Sequence, residues 1–148
     1  ALASNINYIG CDINDVQYNN LQNIKDFIYS NFNQNNICQL FNNDSYNIDV
    51  SKLSYDGIFI CPPYYNLEIY TNKGIENLNY EEYKQRLKEI ILKWNKPSVK
   101  AIAIQFTDRF EDCINNIGIP YTKILITKSK YHLNSSNKYK EYIYILKE

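Results

Sequence analysis

The residues best placed to do chemistry lie in one stretch, Asp56–Tyr70, which reads DGIFICPPYYNLEIY. A short apolar run, Gly57–Cys61, ends in two consecutive prolines and then two tyrosines. Proline lacks the amide donor that a ladder needs, so Pro62 and Pro63 stop a strand abruptly. They also hold the backbone stiff where it leaves the sheet. In an open α/β sheet the carboxyl end of a strand is where ligands sit. A rigid turn carrying Cys61, Tyr64 and Tyr65 is unusual there. The bland alternative is a loop that happens to contain Pro-Pro-Tyr, such as a recognition peptide.

The turn resembles the diproline motif of S-adenosylmethionine-dependent amino-methyltransferases, which methylate the exocyclic amine of adenine or cytosine, mostly in DNA. That motif is Asp, Asn or Ser, then Pro-Pro, then Tyr or Phe. Here it reads Cys61-Pro62-Pro63-Tyr64, and the continuation Tyr65-Asn66-Leu67-Glu68-Ile69-Tyr70 is similar to the phage and bacterial branch with Ser-Pro-Pro-Tyr or Cys-Pro-Pro-Tyr. The resemblance implies catalytic roles for Cys61, Pro62, Pro63 and Tyr64. An aromatic amine is a poor nucleophile because its lone pair is delocalised into the ring. Accepting its hydrogens, with the carbonyl of Pro62 and the preceding side chain, pushes the nitrogen toward a pyramidal, reactive state. The aromatic after the prolines stacks on a base flipped out of the duplex. This requires that Tyr64 not be packed inward and that Pro62's oxygen face a cleft. Cys61 departs from the usual Asp, Asn or Ser, and a thiol is a poor acceptor and donor. Attack by Cys61 on a ring carbon, as in cytosine-C5 methylation, is disfavoured because that chemistry places proline before its cysteine.

The resemblance also implies cofactor contacts. Tyr8–Ile13 is a short apolar segment containing Asp12, and an acid ending the second strand of such a sheet accepts hydrogen bonds from a ribose. Asp12 or Asn14 equally reads as the N-cap of the next helix. After a strand at Ile37–Phe41, Asp44 stands where the family approaches the cofactor's adenine. Asn-Asp-Ser is also ordinary turn chemistry. Asp108 and Arg109 follow the strand Val99–Phe106 on the ligand side, placed to touch the substrate backbone or to pair with each other. Between strands Tyr121–Thr127 and Glu141–Lys147 runs a basic connection with Lys128, Lys130, His132, Lys138 and Lys140. It reads either as a reader of phosphates and bases or as a solvated hairpin tip. Substrate contacts thus fall to Tyr65, Arg109, Lys128 and Lys130. His132 has no evident partner and is not read as catalytic.

The elements that must position these groups follow from periodicity. Asp15–Phe32 has helical spacing of apolar residues from Leu21. A polar loop with Gly74 is expected over the site. Asn79 with Glu82 makes a capping box, and Tyr80, Tyr83, Leu87, Ile90, Ile91 and Trp94 form one core-facing stripe. Glu82 and Arg86 are spaced for an ion pair, and Lys96-Pro97 closes the helix. Val99–Phe106 reads as a strand buried on both faces. Phe110–Ile117 is a short helix stopped by Gly118 and Pro120. The order implies an α/β fold: a Rossmann-like class I methyltransferase sheet with helices on both faces and a terminal antiparallel pair.

One feature of that family has no counterpart. Only Gly10, Gly57, Gly74 and Gly118 are present, so no Gly-x-Gly cofactor loop exists, and the first strand is absent. The opening ALAS resembles the tail of the helix after that loop. The expectation is one catalytic domain over residues 1–148, N-terminally incomplete, with weak or no binding of S-adenosylmethionine alone. A segment or another chain supplying the first strand is then a partner, as is DNA, with RNA less favoured. A non-catalytic relative that binds nucleic acid or pairs with an active subunit is the other functional class.

Composition bounds the rest. At 148 residues the chain can build one real core. It carries 16 basic and 16 acidic residues, so contact with nucleic acid must come from a local patch. Cys11, Cys38, Cys61 and Cys113 are widely spaced without C-x-x-C, which argues against zinc and for a reduced, intracellular chain, cytoplasmic or nucleoid-associated. No apolar run is long enough to span a membrane.

Overall fold

The computed structural model describes residues 6–32, 35–66, 74–126 and 140–146. Lys128, Lys130, His132 and Lys138 of the basic connection, the opening ALAS, and Leu67–Tyr70 at the end of the motif stretch lie outside the described residues. The chain forms two compact units, residues 1–49 with 70–74, and residues 50–69 with 75–148.

In the first unit, β1 (Tyr8–Asp12) and β2 (Cys38–Asn42) pair in parallel, Tyr8 opposite Cys38 and Asp12 opposite Asn42. A parallel pair needs a crossover, and helix α1 (Asp15–Asn31) provides it. Asn14 begins that helix, its side chain accepting from the amides of Val16 and Gln17. Gly10 leaves room for the ring of Tyr8, which a β-carbon at that position would meet at 2.7 Å. The apolar stripe of α1 is where expected, but no residue of the helix is buried, and Val16 and Phe27 are 66% and 61% exposed. One helix against two strands has too little surface to bury a stripe of that width.

The second unit holds the core. Its strands are β3 (Gly57–Ile60), β4 (Ala101–Thr107), β5 (Tyr121–Leu125) and β6 (Glu141–Leu146), in the order β3-β4-β6-β5. β3 and β4 run parallel, and β6 runs antiparallel to both neighbours. Helix α2 (Tyr80–Trp94) starts on the expected capping box, Asn79 accepting from Glu82's amide and Glu82's carboxylate accepting from Asn79's. That box turns the carboxylate of Glu82 back toward the N-terminus, and Arg86 lies 3.7 Å from Glu89. Helix α3 (Glu111–Ile117) ends at Gly118, whose φ of 84° is the left-handed conformation that glycine adopts without a Cβ penalty.

Tyr83, Leu87 and Ile91 of α2 and Cys113 and Ile114 of α3 meet Ile102, Ile104, Phe106, Tyr144 and Leu146 of the sheet in one buried cluster. β4 is therefore buried on one face and not on both. Ile102, Ile104 and Phe106 point into the cluster, whereas Ala101 is exposed and Ala103 and Gln105 are half-buried. On that second face Phe59, opposite Ala103, is 65% exposed. Both helices of this unit contribute to the same core, which explains the asymmetry.

Candidate functional site

At the carboxyl ends of β1 and β2 the first unit gathers amide and carboxylate side chains. Ile13, Asp15, Asn42, Asn43, Asp44 and Asn47 line an open depression of ≈ 310 Å³. Parallel strands end here with no further pairing, so the chain turns and short polar side chains satisfy the backbone. Asp12 accepts the amide of Asn14 at 2.8 Å through Oδ1. Asp44 starts a 3-10 turn over Ser45–Asn47 by accepting the amide of Tyr46 at 2.9 Å. Asn42 donates to Asp15 at 2.6 Å across the floor of the depression. Helix capping thus falls to Asn14, and both acids expected at the cofactor stand at this strand end.

Their electrostatics agree. The thiol of Cys11 is pushed up to about 11, first by burial and then by the charges of Asp12 and Asp44. Both acids act on this half-buried thiol, and the field they make favours hydroxyl and amine donors over anions. Asp15, Asn42, Asn43 and Asn47 were not singled out from the sequence. Asn42 and Asn43 sit beside Asp44 in a run read either as an adenine contact through Asp44 or as a turn, and that run was the available signal.

The second unit carries the diproline bend. β3 stops at Ile60, so Cys61 lies one residue past the strand and is exposed, and Pro62 is buried. Pro63, Tyr64 and Tyr65 are half-buried. Asn66 follows at φ 56°, a left-handed conformation that a short polar side chain tolerates. The two tyrosines divide. The ring of Tyr64 lies 5.5 Å from that of Phe106 and 6.2 Å from that of Phe110, and its hydroxyl points to Glu141 at 3.4 Å. The ring of Tyr65 packs on Tyr80 and Tyr83 at 5.1 and 5.5 Å. From α2, the buried hydroxyl of Tyr83 donates to the carbonyl of Pro63 at 2.7 Å. Tyr64 therefore meets the requirement of a free stacking face only in part. The bend lines neither the first unit's depression nor a second one at the amino end of β4, beside Val99–Ile102.

Asp108 and Arg109 do not pair with each other. Asp108's amide donates to Lys140's carbonyl at 2.9 Å and its Oδ1 accepts Lys140's amide at 3.0 Å, fastening the end of β4 to the start of β6. Arg109 is exposed, its guanidinium 5.3 Å from the centre of the Phe110 ring. Among the sequence candidates, the structure thus brings Cys61, Pro62, Pro63, Tyr64 and Tyr65 together in one unit, and Asp12 and Asp44 in the other. Tyr83, Phe106, Phe110 and Glu141, which hold the bend, had been read only as core, strand or short-helix residues. Among the described residues no cluster of His, Cys, Asp and Glu is suited to hold a metal, and no helix is long and apolar enough to cross a membrane.

No family model matches the chain, and no curated protein matches it. Among solved structures, one from Streptococcus mutans, described as a presumed methyltransferase in complex with S-adenosylhomocysteine, matches with a TM-score of 0.54. The match covers 96% of this chain and 76% of that one at 15% sequence identity. At this identity the likeness is one of fold, and the chain has a Rossmann-like methyltransferase fold.

Proposed function

We propose that the protein belongs to an S-adenosylmethionine-dependent methyltransferase acting on the exocyclic amine of adenine or cytosine in DNA. The observation that carries this reading is the diproline bend itself, a stiff corner at the carboxyl end of a parallel strand with aromatic rings on both sides. The likeness in fold to a protein that holds S-adenosylhomocysteine supports the cofactor. S-adenosylmethionine supplies an electrophilic methyl group on a sulfonium. The residues of the first unit suit its nucleoside: a ribose offers hydroxyl donors to Asp12, and an adenine offers an amine to Asp44. The depression beside them falls at the small end of ligand-site volumes, roughly 300–1,000 Å³.

In this reading the carbonyl of Pro62 accepts a hydrogen of the target amine and draws its lone pair out of the ring. S-adenosylmethionine would supply the methyl group to that nitrogen, with S-adenosylhomocysteine as the leaving group and the amine's proton passing to water. Tyr64 extends the Phe106–Phe110 aromatic group toward the flipped base, and Arg109, with Lys128 and Lys130, meets phosphates. A segment or second chain that adds a strand and a glycine-rich turn completes the cofactor site.

A second reading is a non-catalytic relative that binds nucleic acid or pairs with an active subunit. The thiol of Cys61 and the half-inward packing of Tyr64 favour it. Transfer of labelled methyl from S-adenosylmethionine to duplex and single-stranded DNA by the full-length protein separates the two. Methylated adenine or cytosine amine, with cofactor affinity weakened about tenfold by Asp44→Ala, is the expected result. Nucleic-acid binding without transfer establishes the second reading instead.

A further inference from the structure

We infer that Tyr83 is the positioning residue of the diproline bend, an inference that rests on the methyl-transfer reading above. Two prolines in succession take two amide donors out of the corner, so fewer backbone bonds can fix the bend. In the methyl-transfer reading Pro62's carbonyl meets the amine, so the carbonyl of Pro63 is available to anchor the corner. The hydroxyl of Tyr83 reaches Pro63's carbonyl at 2.7 Å from the first turn of α2. Tyr83 is 0% exposed, so that bond is shielded from competing water.

The same residue holds the bend through its ring. Tyr65 packs on Tyr83 at 5.5 Å, and Tyr83 lies parallel to Tyr80 at an interplanar angle of 9°. One side chain therefore fixes both the peptide after Pro63 and the tyrosine two residues on. That bond ties down Pro63's carbonyl. It also sets the rotation of the Pro63–Tyr64 peptide, and with it the direction of the Tyr64 ring. Tyr80 is the natural comparison. It is on the same helix and packs on the same Tyr65, but its hydroxyl donates to Asp112 at 2.6 Å, away from the bend.

The test compares Tyr83→Phe with Tyr80→Phe in the full-length protein. Each change removes one hydroxyl and keeps the ring. Displacement of a reacting geometry by about 1 Å costs on the order of a hundredfold. Tyr83→Phe is expected to lower kcat by about tenfold or more, with KM for S-adenosylmethionine unchanged, whereas Tyr80→Phe leaves kcat within about twofold. The second readout needs no activity: the Tyr64 amide nitrogen, bonded to Pro63's carbonyl carbon, shifts its resonance in Tyr83→Phe and not in Tyr80→Phe. Equal kcat losses in both variants, or an unmoved Tyr64 resonance, overturn the inference. A wild type that transfers no methyl group to DNA or RNA ends the reading above and Tyr83's part in that reaction. A shifted Tyr64 resonance in that case identifies the reaction, and not the geometry, as the error.

Discussion

A thiol at the head of a diproline bend is a weak partner for an aromatic amine, because sulfur accepts and donates hydrogen bonds poorly. Cys61 is nonetheless exposed at the residue where β3 ends, so a stronger acceptor placed there points at the same space. In the methyl-transfer reading Pro62's carbonyl then does most of the activating. Two outcomes follow for the active full-length protein. Cys61→Ala changes kcat by no more than about twofold, since little is lost with the thiol. Cys61→Ser raises it by about fivefold, the worth of one ordinary hydrogen bond. Steady-state rates on one DNA substrate decide both, and a large loss in Cys61→Ala shows instead that the thiol is used. The bend was legible in the sequence because proline and tyrosine have few other uses at a strand end. Its supports were not. Tyr83, Phe106 and Phe110 are ordinary core residues by spacing, and only their contacts reveal that the core grips Pro63, Tyr64 and Tyr65.

The elements were more readable than the contacts between them. α2 announced itself by Asn79 and Glu82 and by a stripe at helical spacing, and both signals are local. What spacing cannot supply is competition: the capping box takes one oxygen of Glu82's carboxylate, and Glu89 also comes within 3.7 Å of Arg86. Nor does an apolar run say how many of its faces are covered, which is why β4 reads as doubly buried and is not. The tie between α3 and β5 belongs to this class of long-range contact. Lys123 of β5 reaches both carboxylate oxygens of Glu111 at 2.8 Å, and the hydroxyl of Tyr121 donates to the same group at 2.8 Å. The hydrogen bond from Lys123 above all holds Glu111's carboxyl below its ordinary value of 4.5; burial opposes it as the next-largest effect, and the hydrogen bond from Tyr121 then adds to the lowering. A carboxyl depressed in the folded state contributes stability above its unfolded pKa, and that contribution is lost as pH falls through the folded value. Glu111→Gln should therefore lower the urea midpoint at pH 7, with the difference from wild type shrinking below pH 4.5 and vanishing once the wild-type carboxyl is protonated. A difference that persists unchanged at low pH assigns the loss to packing instead.

At the scale of the molecule, stability is unevenly placed. The second unit closes twelve buried residues into one cluster, while in the first only Gly10, Asn36 and Ile48 are buried among the described residues. Apolar burial is the main favourable term in folding, so the first unit has little to hold its hydrogen bonds closed. Yet that is the unit with Asp12, Asp44 and the depression beside them. A ligand that binds only the folded form adds its own stability, about 2.7 kcal/mol at a hundredfold excess over Kd. Hydrogen exchange on the full-length protein should accordingly find amides of residues 8–12 and 38–42 exchanging by local opening at low free energy. Those of residues 83–91, 102–106 and 142–146 should exchange only by global unfolding. Adding S-adenosylhomocysteine should slow exchange in the first group, most at residues 12–15 and 42–47, and leave the second nearly unchanged. Uniform protection without ligand means that further chain covers α1 and the strands beside it. Protection gained only in the second unit moves the cofactor away from the two acids, and with it the assignment of Asp12 and Asp44.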